Sequence, residues 1–224
     1  MTLTAAPLVP EAPTLASLRS AAAGCQACAL WKGTTQTVFG EGPAPAPLLL
    51  LGEQPGDRED REGHPFVGPA GRELADGLEA AGIDRDAAYV TNVVKHFNFT
   101  PRGKRRIHAK PKAEHITACR PWLDAEIAVV DPRVIVALGA TAAKALLGSS
   151  FRVTRQRGEL VFWEDGRTVT ATVHPSSILR ARGDGRSADQ ARAEARADFV
   201  DDLTAVARLL RDVDGPWPGG AHSA

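Results

Sequence analysis

The chain has 224 residues, 27 Lys plus Arg against 27 Asp plus Glu, and an apolar fraction of 43%. That suffices for one well-cored globular domain, and the zero net charge excludes a protein that binds polyanions by bulk charge. Three cysteines exclude a paired disulfide framework, and the early apolar run Leu48 to Leu51 is far too short to cross a bilayer.

Residues 1–16 are rich in Ala, Pro and Thr and hold no Lys or Arg. They read as a flexible tail without the basic start of a secretion signal, which points to a cytoplasmic protein. Cys25 and Cys28 then form a C-x-x-C pair. Such a pair serves redox chemistry, half a zinc site or half an iron–sulfur site, or is simply two buried thiols. The redox version normally follows a strand, and here an Ala-rich, helix-like stretch precedes the pair. Cys119 is distant, and three thiolates need a fourth partner to complete a four-ligand site.

Residues 47–51 are a continuous apolar run stopped by Gly52, the pattern of a buried strand. Residues 69–82 read as a helix with Leu74, Leu78 and Ala81 on one face. Residues 88–94 are β-branched and strand-like. From 95 to 112 there are seven Lys or Arg and no acid. Within that stretch Arg102-Gly103-Lys104-Arg105-Arg106-Ile107-His108-Ala109-Lys110-Pro111 sets five cations around one histidine. Gly and Pro make it read as a loop. Cations at that density suit phosphates, and a histidine among them can act as acid, base or nucleophile.

Residues 112–130 read as a helix, 133–139 as a second buried strand, and 140–147 as a helix. Residues 158–163 and 168–173 read as paired strands, and 187–211 as a long amphipathic helix. The Gly- and Pro-rich stretch 213–224 reads as a second flexible tail. Strands alternating with helices predict an α/β domain over 17–212: three layers, α/β/α, around a mostly parallel four-stranded sheet. In such sheets ligands bind beyond the carboxyl ends of the strands. Gly52-Glu53-Gln54-Pro55-Gly56-Asp57, Asn92 with the basic segment, Gly139-Ala140-Thr141 and His174-Pro175-Ser176-Ser177 all follow strands, so four segments converge on one crevice.

These residues resemble the uracil-DNA glycosylase superfamily. The resemblance is carried by Gly52-Glu53-Gln54-Pro55-Gly56-Asp57-Arg58-Glu59-Asp60, Pro65-Phe66-Val67-Gly68-Pro69-Ala70-Gly71, Tyr89-Val90-Thr91-Asn92-Val93-Val94-Lys95 and His174-Pro175-Ser176-Ser177. It covers about residues 18–210. Within the superfamily the chain is most similar to the iron–sulfur family-4 enzymes, and Lys104-Arg105-Arg106-Ile107-His108 makes it most similar to the UdgX type. Family-4 enzymes hold a [4Fe–4S] cluster with four cysteines. Cys25, Cys28 and Cys119 match three of them, and His96 stands in the place of the fourth, so the resemblance implies a three-Cys, one-His cluster.

The resemblance also implies roles at the site. Asn92 offers an amide donor and acceptor that match the edge of uracil and mismatch cytosine. Phe66 lies under the base, and Gln54 and Asp57 join the uracil-binding set. His174 stabilises the negative charge on the departing base. Glu53 faces the sugar cation or orients a nucleophile. Lys104, Arg105 and Arg106 hold phosphates, and Ser176 and Ser177 position the loop or a phosphate. Glu59, Asp60 and Glu62 read as a solvated acidic face. His108 corresponds to the histidine that, in UdgX-type proteins, captures the sugar and leaves the protein bonded to the abasic site. The expected partner is uracil-containing DNA, single-stranded by preference, with no membrane contact and a monomeric protein. The rival readings are a family-4 glycosylase that turns over with water, an abasic-site or single-strand DNA binding protein without catalysis, and a small iron–sulfur electron carrier.

Overall fold

The computed structural model describes residues 4–182 and 187–212. Its frame is a five-stranded sheet in the order β2 (Ala88–Asn92), β1 (Leu48–Gly52), β5 (Val134–Leu138), β7 (Thr168–Thr172), β6 (Val161–Phe162). The first four are parallel, and with β6, which lies within the expected strand 158–163, the sheet has five strands rather than the expected four. The two-residue β6 adds a fifth, antiparallel strand at the edge of β7.

The continuous apolar runs of β1 and β5 arise because both faces of the sheet are covered. Leu49, Leu51, Ile135, Ala137, Val169 and Ala171 pack against α4 (Ala113–Val130) and α5 (Ala140–Leu147) through Leu123, Ile127, Ala142 and Ala143. The alternate residues Leu48, Leu50, Val134, Val136 and Leu138 pack against α3 (Pro69–Ala80) and α8 (Ala188–Asp212) through Leu74, Leu78, Phe199 and Leu203. The period-two alternation of the strands thus produces the three layers directly. A third cluster joins α1 (Leu15–Ala22) to α4 around Trp122, Cys25 and Cys119.

Three regions differ from the sequence expectation or extend it. The basic segment is not a loop but an antiparallel hairpin, β3 (Phe99–Arg102) and β4 (Arg105–His108). Gly103 turns it with φ +58°, the conformation a two-residue hairpin needs. Pro101 is tolerated because each strand of a two-stranded ribbon is an edge strand. Next, Asp57–Glu62 forms a short helix, α2, in which Glu59 and Asp60 are buried rather than solvated. Glu59 accepts the N–H groups of Gly56 and Gly68 at 3.2 and 2.8 Å, and Asp60 accepts that of Thr35 at 3.0 Å. Only Glu62 of the three acids stays exposed. Finally, residues 4–14, read above within a flexible tail, lie against the domain. Ala5 is fully buried and donates its N–H to Ala118 O at 2.9 Å. The stretch 213–224 lies outside the described residues. No helix among the described residues is long and apolar enough to cross a membrane.

The remaining elements are α6 (Val153–Gln156) and α7 (Pro175–Leu179). Just after β2, Lys95 is 1% exposed and pairs with Glu126 of α4, which is 0% exposed. Its ammonium also donates to Thr91 Oγ1 at 2.6 Å and Asn92 O at 2.7 Å. Breaking such a pair leaves one buried charge uncompensated. Glu126→Gln should therefore lower unfolding stability by about 3–5 kcal/mol in urea titrations, whereas Glu62→Gln, on the exposed end of α2, should change it by less than about 0.5 kcal/mol.

Candidate active site

The carboxyl ends of β1 and β2 meet at Gly52 and Asn92, which are register partners. A Cβ on Gly52 would lie 2.2 Å from Asn92 Oδ1 and 2.7 Å from Phe66 Cζ, so glycine is what lets these two side chains converge. Phe66 has φ +57°, a left-handed conformation that bulky residues rarely adopt. Gly71 supports that turn, since a Cβ there would fall 1.6 Å from Phe66 O. The Phe66 ring stacks on His174, with centroids 6.2 Å apart and planes 26° from parallel. Asn92 is buried, 3% exposed. The corner therefore presents an aromatic face, an amide edge and an imidazole together.

His174 caps α7. Its Nδ1 accepts the Ser176 N–H at 3.1 Å, with Ser176 Oγ at 2.8 Å, and Ser177 Oγ donates to its carbonyl at 2.7 Å. A backbone N–H can only donate, so Nδ1 carries the lone pair and Nε2 carries the proton of the neutral ring. Burial, then the positive charge of Arg180, lower its pKa to about 4. The two serine hydroxyls proposed for DNA are thus engaged with His174 in this structure.

The hairpin brings His108 over the loop that follows β1. Gln54 is held by the backbone at both ends of its amide: Oε1 accepts from Asn98 N at 3.2 Å, and Nε2 donates to Asn98 O and Ala109 O, each at 3.1 Å. This orientation puts Gln54 Nε2 2.9 Å from His108 Nε2. The amide has two hydrogens for three neighbours, so His108 Nε2 receives at most a share of one of them. Glu53 Oε1 lies 3.7 Å from the same nitrogen, and its Oε2 accepts from the Thr141 hydroxyl. The carboxylate therefore stands beside His108 Nε2. His108 is half exposed, with its side chain at 50%.

Strand pleating divides the basic residues. Arg106 and His108 share one face of the ribbon, Arg106 half-buried and His108 exposed, while Arg105 and Ile107 are exposed on the other. The Arg106 guanidinium bonds Asp57 Oδ1 and Asp60 Oδ2, both at 2.5 Å, and lies over Phe97 and Phe99 at 5.4 and 5.1 Å. It is a latch between hairpin and α2. Asp57, read from sequence within the uracil-binding set, has its carboxylate bound by Arg106 and Arg61. Arg102, Lys104 and Arg105 remain exposed.

Cys25, Cys28 and Cys119 gather between α1 and α4. Burial, partly offset by Lys95, pushes the Cys119 thiol up to about 12, with Cys28 and Cys25 adding to the rise. The Lys95 N–H donates to Cys119 Sγ and the Trp122 indole N–H to Cys25 Sγ, each at 3.3 Å. His96 is buried, and its pKa is lowered to about 4 by burial, against a small opposing pull from Asp60. The Thr37 hydroxyl donates to Ala22 O, so its oxygen accepts from His96 Nε2 at 3.0 Å. That leaves the His96 lone pair on Nδ1, the form a metal takes. Among the described residues no group of three or more His, Cys, Asp or Glu is placed to hold a single metal ion. A four-iron cluster binds each ligand through a different iron and spreads them wider. The donor types fit it: three sulfurs, N–H donors to two of them, and a neutral imidazole.

Sequence reasoning gave no role to Lys95 or Glu126, and placed Thr141 at the crevice only as part of the Gly139-Ala140-Thr141 segment. Lys95 was counted with the basic segment. Its one separating signal was its place at the end of an apolar strand. A cavity of about 510 Å³ between α5, α6 and β6, lined by Leu147, Phe151 and Trp163 among others, contains none of these site residues.

The His174 shift carries a pH prediction. Its ring has a pKa of about 4 when folded, against roughly 6.5 when unfolded. Between those values the unfolded chain binds more protons, so this contribution to stability falls as pH drops through that window. His174→Asn should flatten that part of the urea-midpoint profile, while the His96 share, of the same sign, persists.

Comparison with known proteins agrees with this geometry. The profile of the Uracil DNA glycosylase superfamily matches residues 39–204. The type-4 uracil-DNA glycosylase of Thermotoga maritima is 41% identical over 159 residues, covering 70% of this chain and 79% of that protein. The type-4 enzyme of Sulfurisphaera tokodaii is 37% identical over 174 residues, covering 74% and 76%. That of Pyrobaculum aerophilum is 36% identical over 163 residues, covering 70% and 80%. With the profile spanning most of the chain, and Gly52, Phe66, Asn92 and His174 meeting at one sheet edge, the chain belongs to the uracil-DNA glycosylase superfamily.

Proposed function

We propose that this protein excises uracil from DNA and is then joined covalently to the abasic product through His108. The observation that carries this reading is the placing of His108 Nε2, 2.9 Å from Gln54 Nε2 and 3.7 Å from Glu53 Oε1. A conventional hydrolytic site has water in that position.

The target nucleotide leaves the stack and its base enters between Phe66 and the amide of Asn92. The bond between C1′ and N1 breaks, and its electron pair goes to uracil. His174 Nε2–H donates to the developing charge on uracil O2, and its neutral ring does so without giving up the proton. Positive charge gathers at C1′, where Glu53 stabilises it. The His108 Nε2 lone pair then forms the bond to C1′. The imidazole gains positive charge and loses its Nδ1 proton to solvent, and uracil is protonated from solvent in balance. The exposed Arg102, Lys104 and Arg105 take phosphates, and Arg106 holds the hairpin in place. Ser176 and Ser177 act chiefly by fixing His174. The names of the type-4 relatives and the hydrogen-bonded tautomer of His174 support the excision steps. We place single-stranded DNA as the preferred substrate and a cytoplasmic monomer as the working form.

Cys25, Cys28, Cys119 and His96 would hold a [4Fe–4S] cluster. When bound it supplies structure, neutralising buried thiolates and tying α1 to α4. Anaerobically purified protein should be brown with about four irons per chain, and His96→Ala should lower that iron content. A colourless, folded, iron-free wild type would refute the assignment.

The central test uses a uracil-containing oligonucleotide and denaturing electrophoresis. Wild type should give a heat- and SDS-resistant adduct, one protein per uracil, and none on the thymine control. His108→Ala should lose the adduct and release free uracil, because water then reaches C1′. A resistant adduct in His108→Ala would assign the nucleophile elsewhere. Uracil release without an adduct in wild type would favour the water-using enzyme.

A further inference from the structure

We infer that Thr141 is a positioning residue for Glu53, and that the start of α5 sets the direction of the catalytic carboxylate. The inference rests on the reading of Glu53 and His108 as reacting groups. Thr141 is 5% exposed and donates its hydroxyl to Glu53 Oε2. Among the described residues no other side chain donates a hydrogen bond to that carboxylate. With Oε2 held, Oε1 is the oxygen turned toward His108 Nε2.

The donor stands on a rigid corner. Gly139 precedes α5 with φ +91° and donates its N–H to Thr172 O at 2.9 Å, pinning the helix start to the end of β7. A Cβ on Gly139 would lie 2.9 Å from His174 Cβ, so the same corner packs directly on the other catalytic imidazole. The start of α5 therefore touches the base-side histidine through Gly139 and the sugar-side carboxylate through Thr141. Glu53 itself lies on a loop and is 20% exposed, with three rotatable side-chain bonds. Without a fixed partner it would sample orientations that turn its charge away from C1′ and His108. Threonine suits the task, since its branched Cβ restricts the hydroxyl more than serine does.

Thr141→Val keeps the shape and removes the donor. In single turnover with excess protein on a uracil-containing oligonucleotide, it should slow adduct formation by about tenfold or more, the loss of one charge-assisted hydrogen bond. Thr141→Ser should stay within about threefold of wild type, as it restores the donor. Binding to the matching thymine oligonucleotide should be unchanged in both. A packing role would not couple to Glu53, so the deciding measurement is Thr141→Val in the Glu53→Gln background. Little further loss there, within about twofold, supports the inference, because the hydroxyl acts through a carboxylate already removed. The same fold-loss in both backgrounds overturns it, as does a wild-type rate in Thr141→Val. If Glu53→Gln leaves no measurable rate, equal losses in Thr141→Ser and Thr141→Val overturn it instead. A wild type that releases uracil without an adduct refutes only the capture reading, and the same comparisons are then made on uracil release. A wild type with neither activity overturns both.

Discussion

A buried ammonium organises the functional end of this fold. Lys95 stands one turn beyond the last residue of β2, is almost wholly enclosed, and meets Glu126 from α4. Glu126 Oε1 also accepts from Tyr89 Oη, Thr91 Oγ1 and the Gly40 N–H, so four donors close on one carboxylate. Burial, reinforced by Glu126, pushes the Tyr89 hydroxyl well above its usual range and keeps it a neutral donor. Such a pair contributes little net stability over apolar packing, but it accepts few alternative geometries. Through the bond from Lys95 to Asn92 O it fixes the end of the strand that carries the Asn92 amide. Its own backbone N–H reaches Cys119 Sγ, so one residue ties the thiol cluster to the pocket.

The hairpin shows a different solution to the same problem of placement. A two-stranded ribbon is marginal by itself in water. Here Arg106 supplies the missing anchorage. Its planar fork reaches Asp57 and Asp60 at once while its face lies on Phe97 and Phe99, a combination a lysine could not make. Because Arg106 and His108 are two residues apart on one strand, latching the first orients the second toward Glu53 and Gln54. A segment that is basic in composition is thus divided by function: Arg106 is consumed in structure, while Arg102, Lys104 and Arg105 stay in solvent for an anionic partner.

Several polar groups at this end of the sheet are held by one another. Glu59 spans two loops, Ser176 fixes the His174 tautomer, and Gln54 is fixed by Asn98 and Ala109. Glu59, His174 and Gln54 are consequently held with few rotamers free.

Much of the fold was legible in the chain. Runs such as Leu48–Leu51 and Val134–Leu138 are too apolar for a one-sided sheet, so they dictate strands buried on both faces, and the helices between them dictate parallel order. The glycines, Asn92 and the His174-Pro175-Ser176 turn marked the carboxyl edge as a site, because turn chemistry and chemical groups coincide there in sequence. What the chain could not show depends on distance between segments. Arg106 and Arg105 look alike until the pleat turns one inward, and Glu59 and Asp60 look like solvent-facing acids until Gly68, Thr35 and Arg106 arrive from elsewhere. Lys95 reads as one more cation until Glu126, 31 residues away, encloses it. Local pattern determines which element forms and which face it buries; only tertiary structure decides which charges meet, because a buried charge is tolerated solely where a partner from another element reaches it.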